Sequence, residues 1–105
     1  MVIRSIAIKV PNYSKAYVFG STLTSSDPND FDLLIVYDED QCLPYDAFAK
    51  HAGLVQEIKM AYGLPVHLTL LTTSEAKSVD IFNRTNAVPL LQWLEKEKLH
   101  SSTDT

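Results

Sequence analysis

Two carboxylates stand two residues apart at the start of an apolar run, where Asp30 and Asp32 flank Phe31 in the stretch DFDLLIVY. Side chains alternate between the faces of a β-strand, so both carboxylates would point to one side and Phe31 to the other. Like charges this close repel unless a cation lies between them. Mg²⁺ prefers oxygen ligands and is commonly held by one or two carboxylates, waters and substrate phosphates. The spacing therefore predicts a divalent-metal site that also binds a phosphorylated substrate.

A glycine–serine turn, Gly20-Ser21, precedes these acids and ends an earlier apolar run, KAYVFGS. Glycine lets the backbone approach a phosphate closely, and the amides and the serine hydroxyl after it can donate to oxygens. Such a pair alone is a common turn, and two acids alone are common at a solvated strand end. If the two apolar runs are neighbouring strands, the turn and the acids lie at the same edge. Together they predict a phosphate cradle beside a metal.

Apolar spacing and turn residues predict the elements that must position this site, in the order helix, strand, strand, helix, strand, helix, helix. The first helix is weakened by β-branched residues, and an edge strand competes with it. Gly63 is expected to cap the long helix, Ser74 to be the N-cap of the next, and Pro89 to start the last. The predicted ranges are helix 2–10, strands 16–20 and 31–37, helix 45–62, strand 65–72, a helix after Ser74 and a final helix from Pro89.

The connections between these elements predict the fold class. The loop between the first two strands has about eight or nine residues, too short for a helical crossover, so these strands should be antiparallel neighbours. The third strand follows a full helix and can lie parallel to one of them. We therefore expect an α/β (α+β) fold, a small mixed sheet with helices packed on one side. We expect one domain over residues 1–98 and a flexible tail over 99–105.

Composition excludes several classes of protein. A formal net charge of −4 argues against broad nucleic-acid binding. No apolar run approaches the roughly 20 residues that span a bilayer, and the N-terminus is not expected to be a signal peptide, so we expect no membrane partner. Cys42 is the only cysteine, so no internal disulfide can form, which suits a reducing cytoplasm.

The pattern FGS…DFDLLIVY resembles the signature of the nucleotidyltransferase superfamily that includes DNA polymerase β. Within it the chain is most similar to the minimal nucleotidyltransferases, short bacterial single-domain proteins, over roughly residues 13–72. The resemblance implies a mixed sheet backed by helices. It also implies a site in which a nucleoside triphosphate binds at Gly20, Ser21 and Thr22, and Mg²⁺ (or Mn²⁺) binds at Asp30 and Asp32.

Two features depart from that family. The loop between Ser21 and Asp30 holds eight residues, at or just below the short end of the family's range. The family's third carboxylate lies on a later strand, and His67 occupies the matching position in PVHLTLLT, which holds no Asp or Glu. Histidine can accept a proton near neutral pH but is a poor Mg²⁺ ligand. Because side chains alternate along a strand, Leu68 and Leu70 would lie on the core face of the sheet. His67 would then lie on the other, open face together with the aspartates. It is either a catalytic base or a strand histidine with a structural partner.

The resemblance implies two functions. One is metal-dependent transfer of a nucleoside monophosphate from a nucleoside triphosphate to a hydroxyl on a protein or a small molecule. Resemblance to minimal nucleotidyltransferase antitoxins suggests a toxin encoded by a neighbouring gene as a protein partner. The alternative is a catalytically inactive nucleotidyltransferase-fold binding module in a toxin–antitoxin or defence complex, since His67 replaces the third carboxylate.

Weaker candidates have simpler interpretations. His51 lies in the long helix and is expected at the surface. Lys77 and Arg84 could reach a triphosphate, or they are solvated surface charges. Trp93 and Leu94 cover the sheet or form an exposed patch for a homo-oligomer.

Overall fold

The computed structural model describes residues 8–103, with side chains described as far as residue 97. Most of the helix predicted for 2–10 lies outside these residues, and 8–10 carry no helix or strand. The described elements are β1 Ser14–Val18, α1 Ser21–Thr24, β2 Phe31–Tyr37, α2 Pro44–Tyr62, β3 Val66–Thr72, α3 Thr73–Ser78, α4 Ile81–Thr85, β4 Val88–Pro89 and α5 Leu90–Thr103.

The strands form one mixed sheet in the order β3-β2-β1-β4. β1 and β2 are antiparallel, with Val18 opposite Leu33. β2 and β3 are parallel, with Asp32 opposite His67, and α2 makes the crossover between them. The predicted fold class is confirmed, because a short loop allows only antiparallel neighbours while a helix allows a parallel return.

Alternate residues of β2 build the core. Phe31, Leu33 and Ile35 are 1%, 0% and 0% exposed, and they pack with apolar side chains from α2 and α5. The ring of Trp93 meets the ring of Phe31 edge-on, with centroids 5.4 Å apart. Trp93 and Leu94 therefore cover the sheet, the first of the two alternatives predicted for them.

Helix α2 confirms the predicted helix and its cap, since Gly63 takes the left-handed conformation at φ 65° and ends it. Its buried face differs from the predicted one. Phe48 and Met60 contributed to the apolar pattern, yet they are 67% and 64% exposed. The buried side chains are Ala47, His51, Leu54 and Ile58. Of the pattern that predicted the helix (Phe48, Ala52, Val55, Ile58 and Met60), only Ile58 is buried and Val55 packs against the core.

The prediction that His51 lies at the surface is wrong, because its ring is 0% exposed. His51 Nε2 lies 2.7 Å from Ser14 Oγ, and Nδ1 lies 2.7 Å from the Ala47 carbonyl oxygen. Both ring nitrogens therefore have partners, which removes most of the cost of burying a polar ring. The hydrogen bond between Ser14 and His51 connects β1 to α2.

The second face of the sheet is also partly covered, which corrects the expectation of helices on one side only. Tyr17 of β1 and Leu34 of β2 are opposite each other on this face, and Leu34 is 0% exposed. The ring of Phe82, in α4, packs on Tyr17 with centroids 4.8 Å apart. Phe82 remains 42% exposed, so this aromatic contact covers the second face only in part.

The helix expected after Ser74 is divided into α3 and α4, and its N-cap is Thr72 instead. Thr72 Oγ1 accepts the Glu75 N–H at 3.0 Å, and Glu75 Oε1 accepts the Thr72 N–H at 2.9 Å. This reciprocal capping box satisfies the backbone N–H groups of Thr72 and Glu75. Ser74 cannot form it, because it is already the second residue of the helix. Asp80, at φ 53°, separates the two helices.

Two further features concern the C-terminal part. A short strand that the sequence did not predict pairs with β1, with Val88 opposite Val18. The final helix begins directly after Pro89, close to the expected start, and continues to Thr103, into the segment 99–105 expected to be a flexible tail. Among the residues that the structure describes, no helix is long and apolar enough to cross a bilayer.

Candidate functional site

The centre of the candidate site is the contact between Asp32 and Ser21. Asp32 is the second residue of β2, and Ser21 is the first of α1. Asp32 Oδ2 accepts a hydrogen bond from the Ser21 backbone N–H at 3.0 Å and another from the Ser21 hydroxyl at 3.1 Å. The Asp32 side chain is only 13% exposed. The predicted meeting of the glycine–serine turn with this carboxylate is confirmed.

Gly20 allows this close approach. Its φ of 64° lies in the left-handed region that side chains rarely adopt, and a Cβ atom there would lie 2.5 Å from Asp32 Oδ2. That distance is well inside van der Waals contact. The glycine is therefore required both by the turn and by the carboxylate packed against it.

Thr22 fixes the turn to the start of β2. Its hydroxyl oxygen accepts the Asp32 N–H at 2.8 Å, and the hydroxyl donates to the Asp30 carbonyl oxygen at 3.3 Å. The side chain is 8% exposed, so the structure shows Thr22 in a positioning role. A contact between Thr22 and a nucleotide stays a prediction.

Asp30 directly precedes β2 and is exposed. Among the described residues, its carboxylate makes no hydrogen bond or ion pair, whereas that of Asp32 has partners. The two predicted metal ligands thus lie at the same end of β2 in different environments. An unengaged carboxylate is available for a cation, and an engaged one must first release its donors.

His67 lies beside Asp32, as alternation along the strand predicts. The two residues are opposite each other in the parallel register of β2 and β3. His67 Nδ1 is 3.5 Å from Asp32 Oδ1, and the imidazole is 75% exposed. Each oxygen of Asp32 therefore has its own neighbour, Ser21 at Oδ2 and His67 at Oδ1. Whether His67 is catalytic stays a prediction.

The donor set fits a metal that arrives with a substrate better than a preformed metal site. Within the described part of the chain, no three His, Cys, Asp or Glu side chains lie close enough together to hold a metal ion. Mg²⁺, however, is often held by one or two carboxylates while phosphate oxygens and waters complete its coordination. Asp30 and Asp32 supply two carboxylates at one end of β2, and His67 adds no oxygen; metal binding by this pair stays a prediction.

The two described clefts do not include the candidate site. Two clefts, of about 360 and 310 Å³, lie elsewhere along β1. Neither is lined by Asp32, Ser21 or His67. An accessible part of the candidate site is the imidazole of His67, which is 75% exposed, whereas Asp32 is 13% exposed.

The remaining sequence candidates are placed away from this contact or engaged otherwise. Lys77 and Arg84 are both exposed, in agreement with solvated charges, and their contact with a triphosphate stays untested. Glu75 is committed to the capping box of α3. Cys42 is buried at 5% exposure, consistent with an inert thiol.

The sequence analysis did not predict the Ser14–His51 pair. The i, i+4, i+7 spacing of His51 with the buried residues of α2 nevertheless indicated that its side chain faces the core.

Comparison with known proteins adds no assignment, since no family model, curated protein or solved structure matches the chain.

Proposed function

We propose that the chain transfers a nucleoside monophosphate from a nucleoside triphosphate to a hydroxyl group of a protein. One observation carries the proposal, the packing of the Asp32 carboxylate on the amide and hydroxyl of Ser21 across Gly20. Amide and hydroxyl donors beside a glycine suit phosphate oxygens, and a carboxylate in the same place suits the cation that accompanies them. The resemblance of FGS…DFDLLIVY to the nucleotidyltransferase signature supports the same assignment.

In this proposal different residues bind the phosphates, hold the metal and accept the proton. Once Asp32 releases them, the Ser21 amide and hydroxyl would bind phosphate oxygens, and Asp30 and Asp32 would hold Mg²⁺. The bound metal supplies positive charge that offsets the phosphate charge. The acceptor hydroxyl oxygen forms a bond to the α-phosphorus, the bond from that phosphorus to the bridging oxygen breaks, and pyrophosphate leaves with the electron pair. The hydroxyl proton passes to Nε2 of His67, since its Nδ1 faces Asp32.

The exposure of His67 supports a protein acceptor over a small molecule. His67 is 75% exposed, and the described clefts lie away from it, so a small acceptor would find few surrounding contacts. A protein acceptor brings its own contact surface, which can orient one hydroxyl at the open edge. The resemblance to antitoxins suggests a toxin encoded by a neighbouring gene, and the proposal places both proteins in the cytoplasm.

A second function is favoured by one specific observation. His67 lies where the resemblance implies a third carboxylate, and it pairs with Asp32 instead of adding an oxygen ligand. A site with this change can still bind a nucleotide without turning it over. The chain would then be a nucleotidyltransferase-fold binding module in a complex with a partner protein.

The test is transfer of α-labelled phosphate from each of the four ribonucleoside triphosphates, with Mg²⁺ or Mn²⁺, to the protein encoded by the neighbouring gene. Pyrophosphate release and nucleotide binding are measured in parallel. The enzyme proposal expects metal-dependent labelling that Asp32→Asn reduces by about a hundredfold or more. Asp40→Asn, which changes an exposed carboxylate in another loop, should leave it unchanged. Nucleotide binding without transfer supports the binding module, and neither binding nor transfer overturns both proposals.

A further inference from the structure

Helix α2 has a largely apolar outer face, interrupted by Gln56, that nothing in the described chain covers. Tyr45, Phe48 and Met60 are 81%, 67% and 64% exposed. They lie on the side of the helix away from the buried residues Ala47, Leu54 and Ile58, and Ala49, Ala52 and Gly53 lie between them. We call the exposed residues Tyr45, Phe48, Ala49, Ala52, Gly53, Gln56 and Met60 the outer face. Single exposed apolar residues are ordinary, but a set aligned along one helix marks an interaction surface.

Gly53 gives an independent reason to expect a partner there. It lies at the middle of the 19-residue helix α2, where glycine is less favourable than alanine. A Cβ atom at Gly53 would meet nothing within 4 Å, so no contact inside the described chain requires the glycine. Together with the small side chains of Ala49 and Ala52, it leaves room for a second backbone to approach closely.

The two halves of α2 complement each other chemically. The N-terminal half carries the exposed aromatic rings Tyr45 and Phe48, and the C-terminal half carries the exposed Lys59 and Met60. An ammonium group and a thioether both make favourable contacts with aromatic rings. In an antiparallel pair of identical helices, the first half of one helix faces the second half of the other, so both contacts form at once.

The charge of α2 favours the same arrangement. The chain has a formal net charge of −4, so two copies repel at most relative orientations. Within α2, however, Asp46 and Glu57 are balanced by Lys50 and Lys59. This helix therefore allows two copies to meet without bringing together a net like charge.

We propose that two copies of the chain form a dimer in which their α2 helices pack antiparallel across a two-fold axis near Ala52 and Gly53. Tyr45 then packs on the partner's Lys59 and Met60, and the small residues let the helices touch at the centre. The 19 residues of α2 extend about 28 Å. A contact of one helix buries less than a standard interface, so the dimer is weak and concentration-dependent. This inference does not depend on the proposed activity.

Sedimentation equilibrium of the full chain, from about 1 to 500 µM, tests the dimer over the range expected of a weak interface. The wild type should convert from monomer to dimer within this range. Ala52→Glu puts two carboxylates beside the axis and should raise the dissociation constant at least tenfold. Gln92→Glu adds the same charge at an exposed position of α5 and should change it little.

Cysteine cross-linking tests the geometry directly. Ala52→Cys places two thiols near the axis and should give a disulfide-linked dimer rapidly under mild oxidation. Lys50→Cys, on the same helix beside the outer face, should cross-link much more slowly. Far-UV circular dichroism checks that each variant folds. A wild type that stays monomeric throughout the range overturns the proposal. A dimer unaffected by Ala52→Glu, or equal cross-linking by the two cysteine variants, also overturns it.

Discussion

Nδ1 of His67 lies 3.5 Å from Oδ1 of Asp32, although 34 residues separate the two in the chain. The parallel register of β2 and β3 brings them together. The other carboxylate oxygen accepts both donors of Ser21. Asp32 thus lies between the Gly20-Ser21 turn and the imidazole of His67. Because each neighbour contacts a different oxygen, substitutions can test the two contacts separately.

Replacing His67 by aspartate should increase the affinity for Mg²⁺. Two carboxylates facing each other across the strand pair repel, and a divalent cation relieves that repulsion while gaining an oxygen ligand. We expect Mg²⁺ or Mn²⁺ with a triphosphate to raise the melting temperature of His67→Asp more than that of the wild type.

The control for this variant is His67→Asn, which removes the imidazole without adding charge. If it responds to the metal as strongly as His67→Asp, the added carboxylate does not bind the cation.

The transfer assay separates the two roles proposed for the histidine. Higher transfer by His67→Asp indicates a weakened enzyme. Loss of transfer with nucleotide binding intact indicates that His67 is the base, whose contribution is typically a hundredfold or more.

Replacing Gly20 by alanine should destabilise the fold more than the same change at Gly63. Both glycines have positive φ, 64° and 65°, but ψ is 23° at Gly63 and −142° at Gly20. Alanine meets strain of about 1 kcal/mol in the left-handed conformation of Gly63, and more in the conformation of Gly20, which is close to one that only glycine adopts readily. Only at Gly20 does the new Cβ also approach Asp32 Oδ2, whereas at Gly63 nothing lies within 4 Å. Urea unfolding of the two variants measures the difference.

The excess cost at Gly20 should depend on Asp32. In the double variant Gly20→Ala with Asp32→Ala, the side chain that the new methyl group strikes is shortened, so the two effects should not add. Additive costs of Gly20→Ala and Asp32→Ala would show that Asp32 moves away freely and that its contact with the turn does not contribute to the loss.

The sheet and the edge where the candidate site lies could be predicted because they follow from local signals. Loop length determined the antiparallel pairing, and alternation placed His67 beside Asp32. The spacing of His51 from Ala47 and Leu54 indicated its burial, but its partner could not be predicted, since the Ser14 hydroxyl lies 37 residues away. Propensity favoured Ser74 as a cap, but Thr72 prevailed because its spacing from Glu75 completes a reciprocal pair.

Removing the hydroxyl of Ser14 should cost about 1–3 kcal/mol of unfolding free energy, because it leaves His51 Nε2 buried without a partner. The Ala47 carbonyl can only accept, so Nδ1 carries a proton and, in the neutral ring, Nε2 accepts from the serine. Urea unfolding of Ser14→Ala, His51→Leu and the double variant measures the coupling. Additive costs would contradict a direct hydrogen bond in solution.

Thr72 should contribute about 0.5–2 kcal/mol to stability as the N-cap of α3. Thr72→Ala removes the acceptor of the Glu75 N–H, while Ser74→Ala removes only an exposed hydroxyl that donates to Glu39. We therefore expect a clear loss in chemical-denaturation midpoint for Thr72→Ala and almost none for Ser74→Ala. The reverse order would restore Ser74 as the functional cap.

Replacing Tyr62 by phenylalanine should preserve stability at neutral pH and improve it at alkaline pH. The Tyr62 hydroxyl is buried and has no hydrogen-bond partner among the described residues, so its removal leaves no group unsatisfied. Burial, with a smaller contribution from the nearby charge of Glu97, raises the pKa of Tyr62 from its usual 10.0 to about 12. Between these values the folded state holds a proton that the unfolded chain releases, so wild-type stability is fully present below pH 10 and falls as the pH rises towards 12. Urea unfolding at neutral pH and at pH values between 10 and 12 should show a smaller loss of stability for Tyr62→Phe than for the wild type.

Tyr17→Phe is the matched control. Burial also raises the pKa of Tyr17, but the shift is smaller than that of Tyr62, so this variant should recover less stability at alkaline pH. An equal alkaline loss in the wild type and Tyr62→Phe would mean that Tyr62 ionises in the folded state as readily as in the unfolded chain.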